Sequence, residues 1–241
     1  MTLVEIREAF VRRTGRYDLV VDTTDWADNG ADFYIQAGSR MLDRLEEHEK
    51  SKAKTFVTLA VGDWYAVFQE CRAILDVWIA GDEYRKKLQL RDIDTMRAYY
   101  NDLPTNIDNE VPEYYSPALL RTYPLGTKIT VDEWQDTTFE IADKADYEYN
   151  GVIFMPPADD AYVLEVQGYF YAKKLTDDAH VNYWSAAHPE ILVMGASYIL
   201  ELMYRNTEGA KDWMTGIKQL LSDLGKDFVE EQASGVNQIR G

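Results

Sequence analysis

Residues 155–205 read MPPADDAYVLEVQGYFYAKKLTDDAHVNYWSAAHPEILVMGASYILELMYR. Pro156-Pro157 fixes a turn, and the residues behind it alternate. Tyr162, Leu164, Val166 and Phe170 fall on one side, and Val163, Glu165, Gln167, Tyr169 and Tyr171 on the other. A period of two predicts a strand with one buried face. An acidic loop through Asp177-Asp178 follows. His188-Pro189 then opens a helix, because proline lacks an N–H that the first helical turn does not need. From Ile191 to Asn206 that helix is apolar on nearly every side, which predicts burial. A strand handed directly to a buried helix, with no catalytic signature between them, reads as scaffold.

The pattern on either side sets the architecture. Upstream, Thr2 and Glu5 stand at the spacing of a capping box ahead of a helix over 3–13, and Gly15 is placed to end it in a left-handed cap. Leu3, Ile6 and Phe10 share its apolar face. Extended residues are expected around Leu19-Val20-Val21. Asp25 then precedes a helix over 26–49, with Tyr34, Gly38, Met41, Leu42 and Leu45 as its stripe. After Lys54 the period switches to two. Gly62-Asp63 is read as the turn of a hairpin joining 55–61 to 64–68, and Gly81-Asp82 as the turn of a second joining 72–80 to 84–90. A short helix is expected over 93–100, a proline-rich loop over 102–124, two weaker strands within 127–141, and a strand over 152–155. Downstream, Trp213, Ile217, Leu220, Leu221, Leu224 and Phe228 stripe a last helix that begins near Glu208.

Helices, then strands, then helices predict an α+β chain: a helical bundle built from the N- and C-terminal helices with an inserted antiparallel β domain. The expected boundaries are 1–51 and 180–232 for the bundle, 52–179 for the β-rich insert, and 233–241 for a flexible polar tail.

Bulk properties narrow the chemistry. The chain has 241 residues, 46% of them apolar, enough for one or two domains with a true core. No window reaches the ~18 continuous apolar residues of a membrane span. The start, MTLVEIREAF, mixes acids and bases and lacks the uninterrupted apolar block of a signal peptide, so the protein is expected where it is made. Net charge is −17, which argues against gripping nucleic acid, since grip comes from Lys and Arg on phosphates. The single cysteine, Cys71, excludes an intrachain disulfide and reads as a buried inert thiol. Tyrosine (17) and tryptophan (6) are abundant, which suits either cores or interfaces.

Catalytic constellations are sought and not found. His48-Glu49 lacks the second histidine of a zinc helix, and no phosphate loop, nucleophile elbow or dinucleotide fingerprint occurs. The acidic groups Asp159-Asp160, Asp177-Asp178 and Asp25/Asp28/Asp32 read as turn formers and caps. Arg12-Arg13 and Arg85-Lys86-Lys87 read as solvated faces or interface contacts. No catalytic, cofactor or metal residue is assigned. Two other functions stay open: a carbohydrate-binding β-module using Trp64, Trp134 and the tyrosines, and a hydrolase built on the paired acids.

One set of residues has a family likeness. Pro157, Asp160, Tyr162, Leu164 and Val166, then Leu175-Thr176-Asp177-Asp178, Asn182, Trp184, His188-Pro189 and Ile191-Leu192, resemble the head-to-tail adaptor (connector) proteins of tailed bacteriophages. Asp25-Trp26 and the helix over 29–45 fit the same pattern, nearest to the adaptors beneath the portal of short-tailed phages. Residues 99–150 have no counterpart in it, as if the β part were enlarged.

The resemblance implies a structural virion protein of the tail or neck, assembled in the bacterial cytoplasm and active in tail assembly and genome ejection. It implies no enzyme activity, no cofactor and no membrane. It implies a homo-oligomeric ring, usually of twelve copies, docked on the portal protein. The bundle would form the ring body, and the β part would face the tail or nozzle protein. Genomic DNA would pass through the lumen without specific binding, as an acidic wall allows. Portal or subunit contacts would fall on the C-terminal segment, at Trp213, Leu224, Phe228, Val236, Ile239 and Arg240.

Overall fold

The computed structural model describes residues 1–45, 52–81, 84–118 and 149–236. The chain is α+β. It divides into two compact units, Met1–Ser51 with Tyr171–Gly241, and Lys52–Phe170.

The first unit is helical. α1 (Leu3–Thr14) starts as its sequence predicts: the Glu5 carboxylate accepts from Thr2 N–H at 2.8 Å. It ends where Gly15, at φ 70°, donates its N–H to Val11 O. A 3-10 turn (Tyr17–Leu19) leads to a bridge between Val20 and Asp28. The stretch around Trp26 therefore turns back on itself, with Trp26 at φ 57°, and does not begin the next helix. α2 (Ala31–Leu45) starts later than expected. Asp28 prepares it by accepting from Gly30 N–H at 3.1 Å and Asp32 N–H at 2.9 Å, while Asp25 only turns the loop by accepting from Ala27 N–H. The expected continuation of this helix beyond Leu45 lies outside the described residues.

The buried line of α2 is Ala31, Ile35, Gly38, Ser39, Leu42 and Asp43, rotated from the expected stripe. Tyr34, Met41 and Leu45 pack on the flank of the core. The rotation has a cause at Gly38. A Cβ there would stand 2.6 Å from Ala196 N and 2.7 Å from Gly195 C, so this crossing needs hydrogen in place of a side chain. The facing helix is α5 (Pro189–Met203), with Pro189 in its first turn as expected and Ile191, Leu192, Val193, Gly195, Ala196, Ser197 and Leu200 buried. A short helix, α4 (Tyr183–Ala187), precedes it, capped by Asn182, whose side chain accepts from Ser185 N–H at 2.9 Å. α6 (Thr207–Val236) buries Ala210, Ile217 and Leu221. It continues through 233–236, residues expected to be tail. α1, α2, α5 and α6 share one apolar core.

The second unit holds two four-stranded sheets. β1 (Lys52–Leu59), β8 (Tyr162–Phe170), β3 (Cys71–Ala80) and β4 (Arg85–Lys87) form the first, in the order β1-β8-β3-β4, antiparallel throughout. β2 (Tyr65–Gln69), β7 (Tyr149–Met155), β6 (Tyr114–Ala118) and β5 (Gln89–Leu90) form the second, in the order β2-β7-β6-β5, with β5 and β6 parallel.

The Gly81 hairpin forms with a shorter second arm than expected: β3 pairs with β4 over Arg85–Lys87, Gly81 N–H donates to Tyr84 O, and residues 89–90 cross to the second sheet as β5. The Gly62 hairpin does not form. β1 pairs with β8 and β2 with β7, so Gly62-Asp63 carries the chain from one sheet to the other. Gly62 donates to Ala158 O at 2.7 Å and the Asp63 carboxylate accepts from Ala60 N–H, contacts that fix a sheet-to-sheet corner. The strands expected within 127–141 lie outside the described residues.

The sheets pack through Leu59, Val77, Ile79, Leu164 and Val166 on one side and Ala66, Phe68, Tyr115, Val152 and Phe154 on the other. α3 (Ile93–Tyr99) covers the outer face of the second sheet. Its Met96 meets Ile153 and Met155, with Trp64, Tyr65, Tyr100 and Ile107 packed around them.

Candidate functional site

The acids first considered for catalysis all have local work. Asp160 accepts from Ala161 N–H, Asp177 from Ala179 N–H, and Asp159 from the Tyr162 hydroxyl at 2.7 Å. Asp32 and Asp178 both take the guanidinium of Arg7, which is 2% exposed on α1. Arg7 Nε donates to Asp32 at 2.8 Å, Nη2 to Asp32 and Asp178, and Nη1 to Trp26 O at 2.7 Å. Burial opposes the charge on Arg7, but the two carboxylates outweigh it and hold the group more firmly protonated than a free arginine. This node ties α1, the Trp26 loop, α2 and the loop before α4. Sequence reading missed it because Arg7 lies in a stretch where acids, bases and apolar residues mix, and its partners are remote in the chain.

A second buried acid was equally hidden. Asp43 accepts from the Trp184 indole N–H at 2.7 Å and from Ala172 N–H at 2.8 Å. Both nodes orient helices.

The remaining candidates resolve similarly. Cys71 is buried, and burial pushes its thiol up to about 11, the inert state expected. The His188 ring lies edge-on to Tyr183 and tilted to Trp184, and the His180 ring meets Thr176. Trp64 lies edge-on to Tyr65 within the core under α3. Arg85 pairs with Glu165, Lys86 with Glu113 and Lys87 with Asp76. Trp134 and His48 lie outside the described residues. Among the described residues no cluster of three or more His, Cys, Asp or Glu is arranged to hold a metal, and no helix is long and apolar enough to cross a membrane.

Along α2, Ala37, Arg40, Met41, Arg44, Leu45 and Tyr171 line an open, mainly apolar groove of about 530 Å³. Arg40 and Arg44 sit 5.2 and 5.6 Å from the centre of the Tyr171 ring, and Arg44 Nε donates to its hydroxyl. Met41 and Leu45, expected on the apolar stripe of α2, pack on the flank of the core and also line this groove. At the α5–α6 corner Leu202, Met203 and Tyr204 are exposed, and Arg16 stacks on Tyr204 at 4.4 Å.

The C-terminal contact residues divide. Trp213 is half-buried with Arg13 stacked 5.2 Å from its ring centre, and Leu224 packs at the edge of the helical core. Both thus have intramolecular contacts. Phe228 and Val236 lie on the later turns of α6, where only the backbone is described, and Ile239 and Arg240 lie outside the described residues.

No curated protein sequence matches the chain significantly. The sequence pattern of the SU10 adaptor protein family matches residues 1–240, including the 99–150 segment that had no counterpart in the shorter likeness. A match over nearly the entire length places this chain in the SU10 adaptor protein family, a family of phage head-to-tail adaptors.

Proposed function

We propose that the protein is the adaptor that docks as a ring beneath the portal and joins it to the tail or nozzle, forming part of the DNA channel. The observation that carries this reading is the family match along the whole chain. The helices form the ring body, in about twelve copies, and the β unit faces the tail. Exposed Leu202, Met203 and Tyr204 and the groove along α2 supply apolar area of the kind that interfaces bury. Trp213, Leu224, Phe228, Val236, Ile239 and Arg240 mark the C-terminal segment that engages the portal. A net charge of −17 lets DNA slide past without adhering.

Mixing the purified protein with purified portal rings tests this. Sedimentation and cryo-EM should show added density at one end of the portal, and a mixture that stays as separate species refutes the proposal. Removing residues 225–241 should leave a folded protein whose portal binding falls by on the order of tenfold or more. Undiminished binding would remove the C-terminal segment from the docking site.

A further inference from the structure

The β unit is electrically two-sided. The outer face of the first sheet carries Lys52, Lys54, Arg72, Arg85 and Lys87, and the acids of its four strands are Asp76 and Glu165. In the chain as a whole acids outnumber bases 42 to 25. Those two acids are already neutralised, Glu165 by Lys54 and Arg85 at 2.7 Å each and Asp76 by Lys87. Arg72 and Lys52 stand 5.3 and 5.9 Å from the ring centre of Tyr169. Arg85 and Lys87 flank Trp78 in the same way, at 4.3 and 5.9 Å. Two exposed apolar groups, Phe56 and Val163, lie among these cations.

The opposite side of the sandwich has the other sign. There α3 and the segment as far as Ile107 cover the second sheet. Asp92, Asp94 and Asp102 are exposed along it and Asp108 and Glu110 just beyond it, against the two cations Arg91 and Arg97. The Asp94 side chain is 86% exposed although Arg97 lies 3.4 Å away.

We infer that the cationic outer face of the β1-β8-β3-β4 sheet is a docking surface for the acidic α3 side of a second copy of this chain. Complementary patches on opposite sides of one unit make a heterologous contact, which closes into a ring when the rotation permits. Nucleic acid fits this face less well. Base stacking needs open aromatic faces, and cations already lie over Tyr169 and Trp78. The contact rests on the adaptor reading for its ring geometry, but self-association can be measured without a portal.

The experiment is sedimentation velocity of the full chain, alone and with portal rings, at ~50 mM and ~500 mM salt. Lys52→Glu with Arg72→Glu, and separately Asp94→Lys with Asp102→Lys, should each weaken self-association by on the order of tenfold, as high salt does. Circular dichroism checks that each variant is folded, and mixing the two variants should restore association. Variants that associate like the unaltered chain overturn the interface, as does an unaltered chain that never associates with itself in either setting. Duplex DNA binding that is lost with Lys52 and Arg72, while self-association persists, also overturns it. Portal docking with variant-insensitive rings sinks this interface alone. Variant-sensitive self-association without portal docking sinks the adaptor reading alone.

Discussion

At the scale of single residues the least anticipated feature is buried charge. Arg7 spends its donors on Asp32, Asp178 and Trp26 O. Arg7→Met should destabilise the protein by about 2–3 kcal/mol in urea unfolding. This is less than the ~3–5 kcal/mol for breaking a fully buried pair, because Asp178 reaches water and rehydrates. Glu165 is only 7% exposed on a face expected to be open, because Lys54, Arg85 and Gln167 close over it. The Lys54 hydrogen bond, ahead of those from Gln167 and Arg85, holds its carboxyl below the usual glutamate range. Its folded pKa is therefore depressed. The stability it contributes is present above the unfolded value of ~4.3 and is lost as pH falls through the folded value. The stability difference between the native protein and Glu165→Gln should thus be constant near neutral pH and shrink on acidification. A difference that grows below pH ~4 would contradict that sign.

At the scale of elements, backbone proximity decides more than side-chain pattern. Gly38 on α2 meets the backbone of α5 at Gly195 and Ala196. A methyl placed 2.6 Å from Ala196 N has no flexible neighbour to displace, so Gly38→Ala must push the two helices apart. The expected cost is about 1–3 kcal/mol, despite alanine's better helix propensity, and shows as a lower Tm. An unchanged or raised Tm would mean that the crossing is loose. Gly168 makes the same demand between strands: a Cβ there would lie 2.4 Å from Ala73 O, beside the irregular register of β3 on β8. Local signals served well where an element's end depends on its own residues. Thr2 with Glu5, Gly15 and Pro189 each did what their types predict. Gly62 failed because its turn fits a hairpin and a sheet-to-sheet corner alike, and only the partners of β1 and β2 tell them apart.

At the scale of the whole molecule, chain ends that are distant in sequence build one core. Leu3, Ile6 and Phe10 of α1 share it with Leu192, Ala196 and Ile217. Replacing Lys52–Phe170 by a short Gly-Ser linker should therefore leave a helical protein with a cooperative thermal transition. A broad, non-cooperative melt would show that the helical unit needs the strands to fold. The likeness recognised across 157–192 and 25–45 extends, in the family match, to residues 1–240. The family was legible because the run from the strand through Leu175–Asp178, Trp184 and His188-Pro189 is fairly distinctive. The groove beside Tyr171 was not, since Arg40, Arg44 and Tyr171 are read separately until α2 brings them to one place.

By itself, the sequence determined the α+β class, the helices–strands–helices order, most helix starts and the family, while β6 arose within the stretch expected to be a proline-rich loop. Periodicity, capping and proline geometry act within a few residues of one another, and one chain displays them in full. The tertiary structure alone decided which strands pair, how far α2 is rotated, and why Arg7, Asp43 and Glu165 are buried. Each of those outcomes depends on a partner that only the folded chain brings within a few ångströms, where a hydrogen bond or a steric contact first acquires energy.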